Sequence, residues 1–130
     1  MIEVKEISFD YVPEDIIREG KKNRVTFENP EGAHWLAVFD EGEIVSVSCV
    51  VIPKKGKTAR LKSSYTKEEH RNQGYFSKLV EYSLALCRAN RMKIATVFST
   101  PFSLNCHMQH GAVPVSRRND ITFMRYLLEN

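Results

Sequence analysis

Apolar and polar positions change period several times along this chain, and each change marks an element. Ile2 to Phe9 alternates at period two, as a strand with one buried face does. Pro13-Glu14-Asp15 opens a short helix that stops near Gly20. Proline suits a first helical turn, and acids suit the positive end of the helix dipole. Gly20-Lys21-Lys22-Asn23-Arg24 is a basic loop, and Val25 to Phe27 reads as either a second short helix or extended chain. Asn29-Pro30-Glu31-Gly32 has turn chemistry. His34 to Phe39 reads as a buried strand, joined through Asp40-Glu41-Gly42-Glu43 to a partner strand from Ile44 to Ile52. A basic turn, Pro53-Lys54-Lys55-Gly56-Lys57, leads to a strand from Thr58 to Thr66.

Beyond Gly74 the period becomes helical. Phe76, Leu79, Val80, Ser83, Leu84 and Cys87 share one face of a helix from Tyr75 to Ala89. Lys93 to Ser99 is nearly continuous in apolar character, which predicts a central strand. Ser103 to His110 forms a short helix ending at Gly111, a natural left-handed cap. Ala112 to Ser116 and Ile121 to Leu128 form a last hairpin around Arg117-Arg118-Asn119-Asp120. The order is β, short α, β, β, β, α, β, α, β, β, an α/β fold with a mixed sheet. No repeat, low-complexity tract or linker interrupts it, so residues 1–130 are expected to form a single domain.

Composition narrows the classes. Hydrophobic residues make up 42% and charged residues 27%, ordinary values for a soluble globular chain. The formal net charge of +3 is compatible with a polyanionic ligand but far from the footprint of a dedicated nucleic-acid binder. No apolar run is long enough to span a membrane, and Met1 to Glu6 carries charge where a signal peptide needs an apolar stretch. Cys49, Cys87 and Cys106 are odd in number and widely spaced, which reads as free thiols in a reducing, cytoplasmic setting.

The candidate chemistry lies at the junction His70-Arg71-Asn72-Gln73-Gly74-Tyr75-Phe76, between a strand and a helix. The first amides of a helix have no partner inside it, and the helix dipole favours negative charge there. Gly74 permits a positive φ or a close approach by a ligand. A pyrophosphate fits such a cradle, with Arg71 as a bidentate partner.

This junction and the element order resemble the GCN5-related N-acetyltransferase (GNAT) superfamily, which carries Arg/Gln-x-x-Gly-x-Gly/Ala between its fourth strand and third helix. Here the motif reads Arg71-Asn72-Gln73-Gly74-Tyr75-Phe76, with Phe76 in place of the last small residue. The resemblance implies a mixed, mostly antiparallel sheet of six to seven strands flanked by about four helices. It implies acetyl-CoA or another acyl-CoA as cosubstrate. The pyrophosphate would rest on the amides of Gln73, Gly74, Tyr75, Phe76 and Ser77, with Arg71 and Asn72 in the same loop. The pantetheine arm would pair with main chain near Tyr65 and Thr66, and an amide near Thr66 would meet the acyl carbonyl. The Phe76 side chain would have to turn into the helix–sheet core.

The implied reaction is direct attack of an amine on the thioester in a ternary complex, which needs a proton acceptor and a donor to the leaving thiolate. Many relatives place a tyrosine four residues before the glycine that ends the fourth helix; this chain has His107 there. His107 is either an imidazolium donor, with a pKa near neutrality, or a bland histidine at the cofactor edge. Asn105 either bonds the pantetheine or caps the helix. His34 and Glu28 are the candidate bases, a water chain being equally open. His107 and His110 beside Cys106 lack a second ligand cluster, so no metal is expected. The acceptor amine is open, from small molecule to macromolecule. A nucleic-acid acceptor and a degenerate module that binds only CoA or a protein remain alternatives. Lys54, Lys55 and Lys57, or Arg117 and Arg118, could contact an acidic acceptor or the 3′-phosphate of CoA. The C-terminal hairpin, with Ile121, Phe123, Met124, Tyr126 and Leu127, is apolar enough for a homodimer or simply for a buried strand.

Overall fold

A computed structural model describes residues 1–128. In chain order it holds β1 (Ile2–Ile7), α1 (Glu14–Lys22), β2 (Ala33–Asp40), β3 (Glu43–Val51), β4 (Thr58–Thr66), α2 (Tyr75–Ala89), β5 (Ile94–Ser99), α3 (Pro101–Gln109), β6 (Val113–Arg118) and β7 (Ile121–Leu127). The seven strands form one sheet in the order β1-β2-β3-β4-β5-β7-β6. Every neighbouring pair is antiparallel except β4 and β5. The element order is the one the periodicity predicts. Three α-helices and two single 3-10 turns, Phe9–Tyr11 and Glu68–His70, stand where about four helices were expected.

Local chemistry explains where boundaries differ from the pattern. β1 stops at Ile7 because Ser8 caps a turn, its hydroxyl accepting from the Asp10 amide at 3.4 Å. The freed Phe9 ring packs 4.9 Å from Trp35. α1 runs through Gly20 to Lys22. A Cβ on Gly20 would lie 2.5 Å from the Phe27 ring, so the glycine admits the returning chain. Val25 to Phe27 is accordingly irregular chain folded back on α1, in neither a helix nor a strand. The β2–β3 turn places Glu41 at φ 51 and Gly42 at φ 81, the left-handed pair that matches the twist of a tight hairpin. α3 starts at Pro101, earlier than Ser103, since proline is preorganised for a first turn. β6 runs through Arg118, which shortens the last turn to Asn119-Asp120.

The sheet has two unequal faces. Leu36, Val38, Val45, Val50 and Leu61 pack under Leu79, Val80 and Leu84 of α2. On the other face Trp35, Ala37, Val47 and Cys49 pack under Val12 and Ile16. That second cluster takes its strand residues from β1 to β4, so α1 covers one half of its face. On the other half Phe98 and Leu127 are exposed. Burial of Cys49 and Cys87 pushes both thiols up to about 11, which keeps them inert at neutral pH.

Lys67 fixes α1 to the sheet. It is 7% exposed, and its ammonium lies 3.0 Å from Asp15 and 2.9 Å from Glu43. The Lys67 ammonium holds the Asp15 carboxyl below its ordinary value. A depressed carboxylate stabilises the fold above its unfolded pKa and loses that contribution as pH falls through the folded one. Lys67→Met is expected to cost about 1–2 kcal/mol at pH 7, since both carboxylates are partly in water and rehydrate. In urea melts the gap to wild type should shrink below about pH 4.

Candidate active site

β4 and β5 pair only from Thr58 opposite Ile94 to Leu61 opposite Val97. Beyond that point β5 stays with β7 and β4 stays with β3, so the sheet opens into a V. The opening is a cleft of about 810 Å³. Its walls are the outer half of β4, the loop after it, the start of α2, the first turns of α3, and the loop after α1.

A bulge shapes the β4 wall. Tyr65 pairs with Val47 and Lys62 with Cys49, so Ser48 alone faces both Ser63 and Ser64. Ser63 sits at φ 55, in the left-handed region. Its hydroxyl donates to the Thr26 carbonyl, which latches the loop after α1 onto β4. Lys67 donates its amide to Val45 on β3. By strand alternation the Thr66 amide and carbonyl face away from β3, into the opening. The Thr66 carbonyl takes Nε of Arg71 at 3.0 Å. The Arg71 guanidinium also lies 5.3 Å from the Tyr65 ring centroid.

The loop before α2 forms a concave row of donors. Asn72 at φ 63 and Gly74 at φ 79 are left-handed on either side of Gln73. Such alternation turns successive amides toward one point. A Cβ on Gly74 would meet nothing within 4 Å. No packing contact therefore demands glycine there; the backbone conformation does, and the space in front is open. The first intrahelical bond near this end runs from Lys78 to the Gly74 carbonyl at 3.1 Å, leaving the amides of Tyr75, Phe76 and Ser77 free. The cradle meets the requirements of a pyrophosphate: convergent amides, a helix N-terminus and an adjacent guanidinium.

Several side chains of the loop serve as anchors. The Tyr75 ring is buried and its hydroxyl donates to Asp40 at 3.0 Å, with the Gln73 amide oxygen 3.1 Å away. Phe76 turns into the core and meets His107 edge-on, ring centroids 5.4 Å apart. Ser77 lines the cleft and bonds Nε2 of His110 at 3.2 Å. Nδ1 of His110 donates to the Cys106 carbonyl at 2.8 Å, so the ring is fixed on the end of α3 and ties that helix to α2 through Ser77.

His107 lines the cleft but is only 2% exposed. Its Nδ1 lies 2.6 Å from the Tyr126 hydroxyl. Burial, and after it the neighbouring His110, depresses its pKa to about 4, which disfavours the imidazolium form at pH 7. Burial likewise raises the Tyr126 phenol. The two share one hydrogen bond whose direction follows the imidazole tautomer: Tyr126 O–H donates to Nδ1 when Nε2 carries the ring proton. The only buried side-chain polar atom without a partner among the described residues is Ser83 Oγ. His107 Nε2 is therefore not sealed in and opens on the cleft.

Three other candidates stand away from this group. Asn105 is an exposed residue in the middle of α3, so it caps nothing, and it is not on the cleft wall. His34 and Glu28 also lie off the cleft. His34 points to Glu6 at 2.9 Å, on the β1 side of the sheet. Tyr126 was missed because its partner is distant in sequence and on another element. Cys106 and Ser103, which line the cleft at helical spacing with His107, were legible only as neighbours of His107. The Ser63 bulge left no sequence signal.

A sheet split between parallel central strands, with an anion cradle at its mouth, defines the fold of an acyl-CoA N-acyltransferase. The model of the acetyltransferase (GNAT) family matches residues 2–112. The chain belongs to that family, and its activity class is acyl-CoA-dependent N-acyl transfer with acetyl-CoA as cosubstrate. Among solved structures it is similar to a Klebsiella pneumoniae protein described as an acyl-CoA N-acyltransferase, at 17% identity and TM-score 0.83, covering 99% of both chains. It is also similar to a GNAT-family acetyltransferase from Staphylococcus aureus, at 13% identity and TM-score 0.76, covering 99% of this chain and 100% of that one. A third is the PaiA N-acetyltransferase of Thermoplasma acidophilum in complex with coenzyme A, at 10% identity and TM-score 0.73, covering 98% and 99%. These likenesses concern the fold. No curated protein sequence matches the chain. Among the described residues no helix is long and apolar enough to cross a membrane, and no cluster of three metal-ligating side chains occurs.

The neutral His107–Tyr126 pair is directly measurable. In an NMR titration the His107 ring should stay neutral down to about pH 5. A titration midpoint between 6 and 7, the ordinary histidine range, would contradict the pairing.

Proposed function

We propose that the chain transfers an acyl group from a CoA thioester to an amine by direct attack within the cleft, with no covalent enzyme intermediate. The observation that carries this reading is the conjunction of the open strand edge of β4 with the amide cradle at Gly74. The amides from Gln73 to Ser77 hold the pyrophosphate, helped by Arg71 and Asn72. The free edge of β4 at Thr66, beside Tyr65, takes the pantetheine as if it were one more strand. Thr66 adjoins the cradle, too close for the far end of an extended arm. The acyl carbonyl therefore lies deeper, at the bulge of Ser63 and Ser64, where a fixed backbone dipole faces the developing oxyanion.

His107 serves the leaving group without becoming charged. Its Nε2–H donates a hydrogen bond to the thiolate, and Tyr126 fixes the tautomer that makes this possible. Full proton transfer from the pair would leave a buried anion, so the thiolate takes its proton from water. Among the described residues no carboxylate lines the cleft. The acceptor consequently loses its proton to cleft water before attack.

Titration calorimetry with acetyl-CoA, free CoA and desulfo-CoA tests the cradle. Micromolar affinity for acetyl-CoA should fall at least about a hundredfold in Gly74→Glu, where a carboxylate enters the phosphate space. Wild-type affinity in that variant would reject the assignment. The pH profile tests the base: kcat/KM should rise log-linearly up to the pKa of the acceptor amine. An additional inflection between pH 6 and 7 would reveal an enzyme base instead.

A further inference from the structure

The lining of the cleft on its α1 side carries charge of one sign, while Glu19 of α1 and Glu68 stand near Tyr65 outside that lining. Cross-strand pairing fixes which side chains point there. Lys62 lies opposite Cys49 and Arg60 opposite Val51. Both partners belong to the core beneath α1. Arg60 also pairs with Thr96, which places Phe98 on the same face two residues on. Lys22, Arg60, Lys62 and Phe98 all line the cleft, with no aspartate or glutamate among the described lining residues. None of these three cations lies within ion-pairing distance of a carboxylate among the described residues. Lys62 is half-buried and makes no ion pair within the chain, so its ammonium is available to an anion in the cleft.

This basic group is separate from the phosphate cradle. Arg71 and the N-terminus of α2 stand at the mouth of the V, whereas Arg60 and Lys62 stand at its vertex, where β4 and β5 part. A fourth cation, Arg24, is already committed. It makes a bidentate pair with Asp120, at 3.1 and 2.7 Å. Arg24 belongs to the loop after α1 and Asp120 to the turn between β6 and β7. The pair therefore straps the two halves of the split sheet together on the acceptor side.

We propose that the acceptor is a small primary amine bearing its own oxyanion, a carboxylate or a phosphate, held by Lys62 and Arg60 with Lys22 beside them. This rests on the acyl-transfer reading above. The cations act twice. They bind the oxyanion, and they lower the pKa of the neighbouring ammonium, so more of the amine is neutral at a given pH. The neutral nitrogen then attacks the thioester carbon. The C–N bond forms, the C–S bond breaks with its electron pair leaving on sulfur, and the proton released by nitrogen is balanced by the one sulfur takes up from water. Free CoA and an N-acylated acid are the products.

The test measures thiol release from acetyl-CoA with matched amines that differ in the acid group: an amino acid against its carboxamide, and phosphoethanolamine against ethanolamine. The acidic member of at least one pair should have a kcat/KM at least about tenfold higher, and the pair that shows it distinguishes carboxylate from phosphate. Lys62→Met and Arg60→Met should bring that ratio toward one, and Lys54→Met, in the remote β3–β4 turn, should leave it as in wild type. Raised salt should lower the ratio. Equal or better turnover of the neutral members overturns the proposal, as does preference for an oligonucleotide amine or a ratio insensitive to Lys62→Met. If acetyl-CoA binds but no amine of either kind reacts, the proposal falls and the cradle stands. If acetyl-CoA does not bind at all, the acyl-transfer reading falls with it.

Discussion

The structure turns on a parallel pairing that lasts from Thr58 to Leu61 and then stops. Backbone amides and carbonyls are obligatory hydrogen-bonding groups, and an open strand edge inside a sheet leaves them to water or to a ligand. Here the opening is held by its surroundings. β5 is kept on β7 along its whole length, and the β4 bulge turns that strand on β3. α2 then begins at the wide end of the gap, so the same divergence that exposes the β4 edge also delivers a helix N-terminus to it. Cradle and strand edge are consequences of one geometric break, and an extended ligand with an anionic end satisfies both.

Electrostatics divides the cleft along its length. The mouth is positive through backbone amides, one guanidinium and a helix dipole, all suited to a diphosphate. The vertex is positive through flexible lysine and arginine side chains on the α1 face. The wall between them is neutral, because burial holds His107 uncharged and raises the Tyr126 phenol. Two anionic groups can thus occupy the cleft at once without sharing cations, and the proposed reaction puts the reacting atoms in the uncharged stretch between them.

The fold was largely legible because its elements differ in period. Alternation in β1, the hairpin turn at Glu41-Gly42 and the apolar face of α2 are local signals. The boundaries that moved did so for tertiary reasons. α1 passes through Gly20 because Phe27 needs the space, a contact the local pattern does not contain. The cradle was legible too, since Arg71 and Gly74 sit in a short segment with fixed geometry. The rest of the site was not. His107 was found by position, but its charge state depends on Tyr126 and on burial. Asn105 fell off the cleft because one helical step turns a side chain by about 100°. The cationic vertex combines β4 with the last residue of α1, more than thirty residues earlier, and no spacing rule connects them.

A neutral histidine and a cationic vertex are complementary answers to one difficulty. Acyl transfer to an amine must avoid both a protonated nucleophile and an unstabilised leaving thiolate. A carboxylate base in the cleft would draw in the proton but would also repel an anionic acceptor and raise the pKa of its ammonium. Cations at the vertex do the reverse on both counts, at the cost of leaving deprotonation to water. An imidazolium at His107 would add a third positive centre to a site already rich in them, and burial opposes it. In the proposed reaction a hydrogen-bonded neutral imidazole stabilises the thiolate as charge develops and needs no proton of its own to be replaced between turnovers. On this account the departure from a tyrosine at position 107 keeps the donor at the leaving group, while Tyr126 sets its direction from behind.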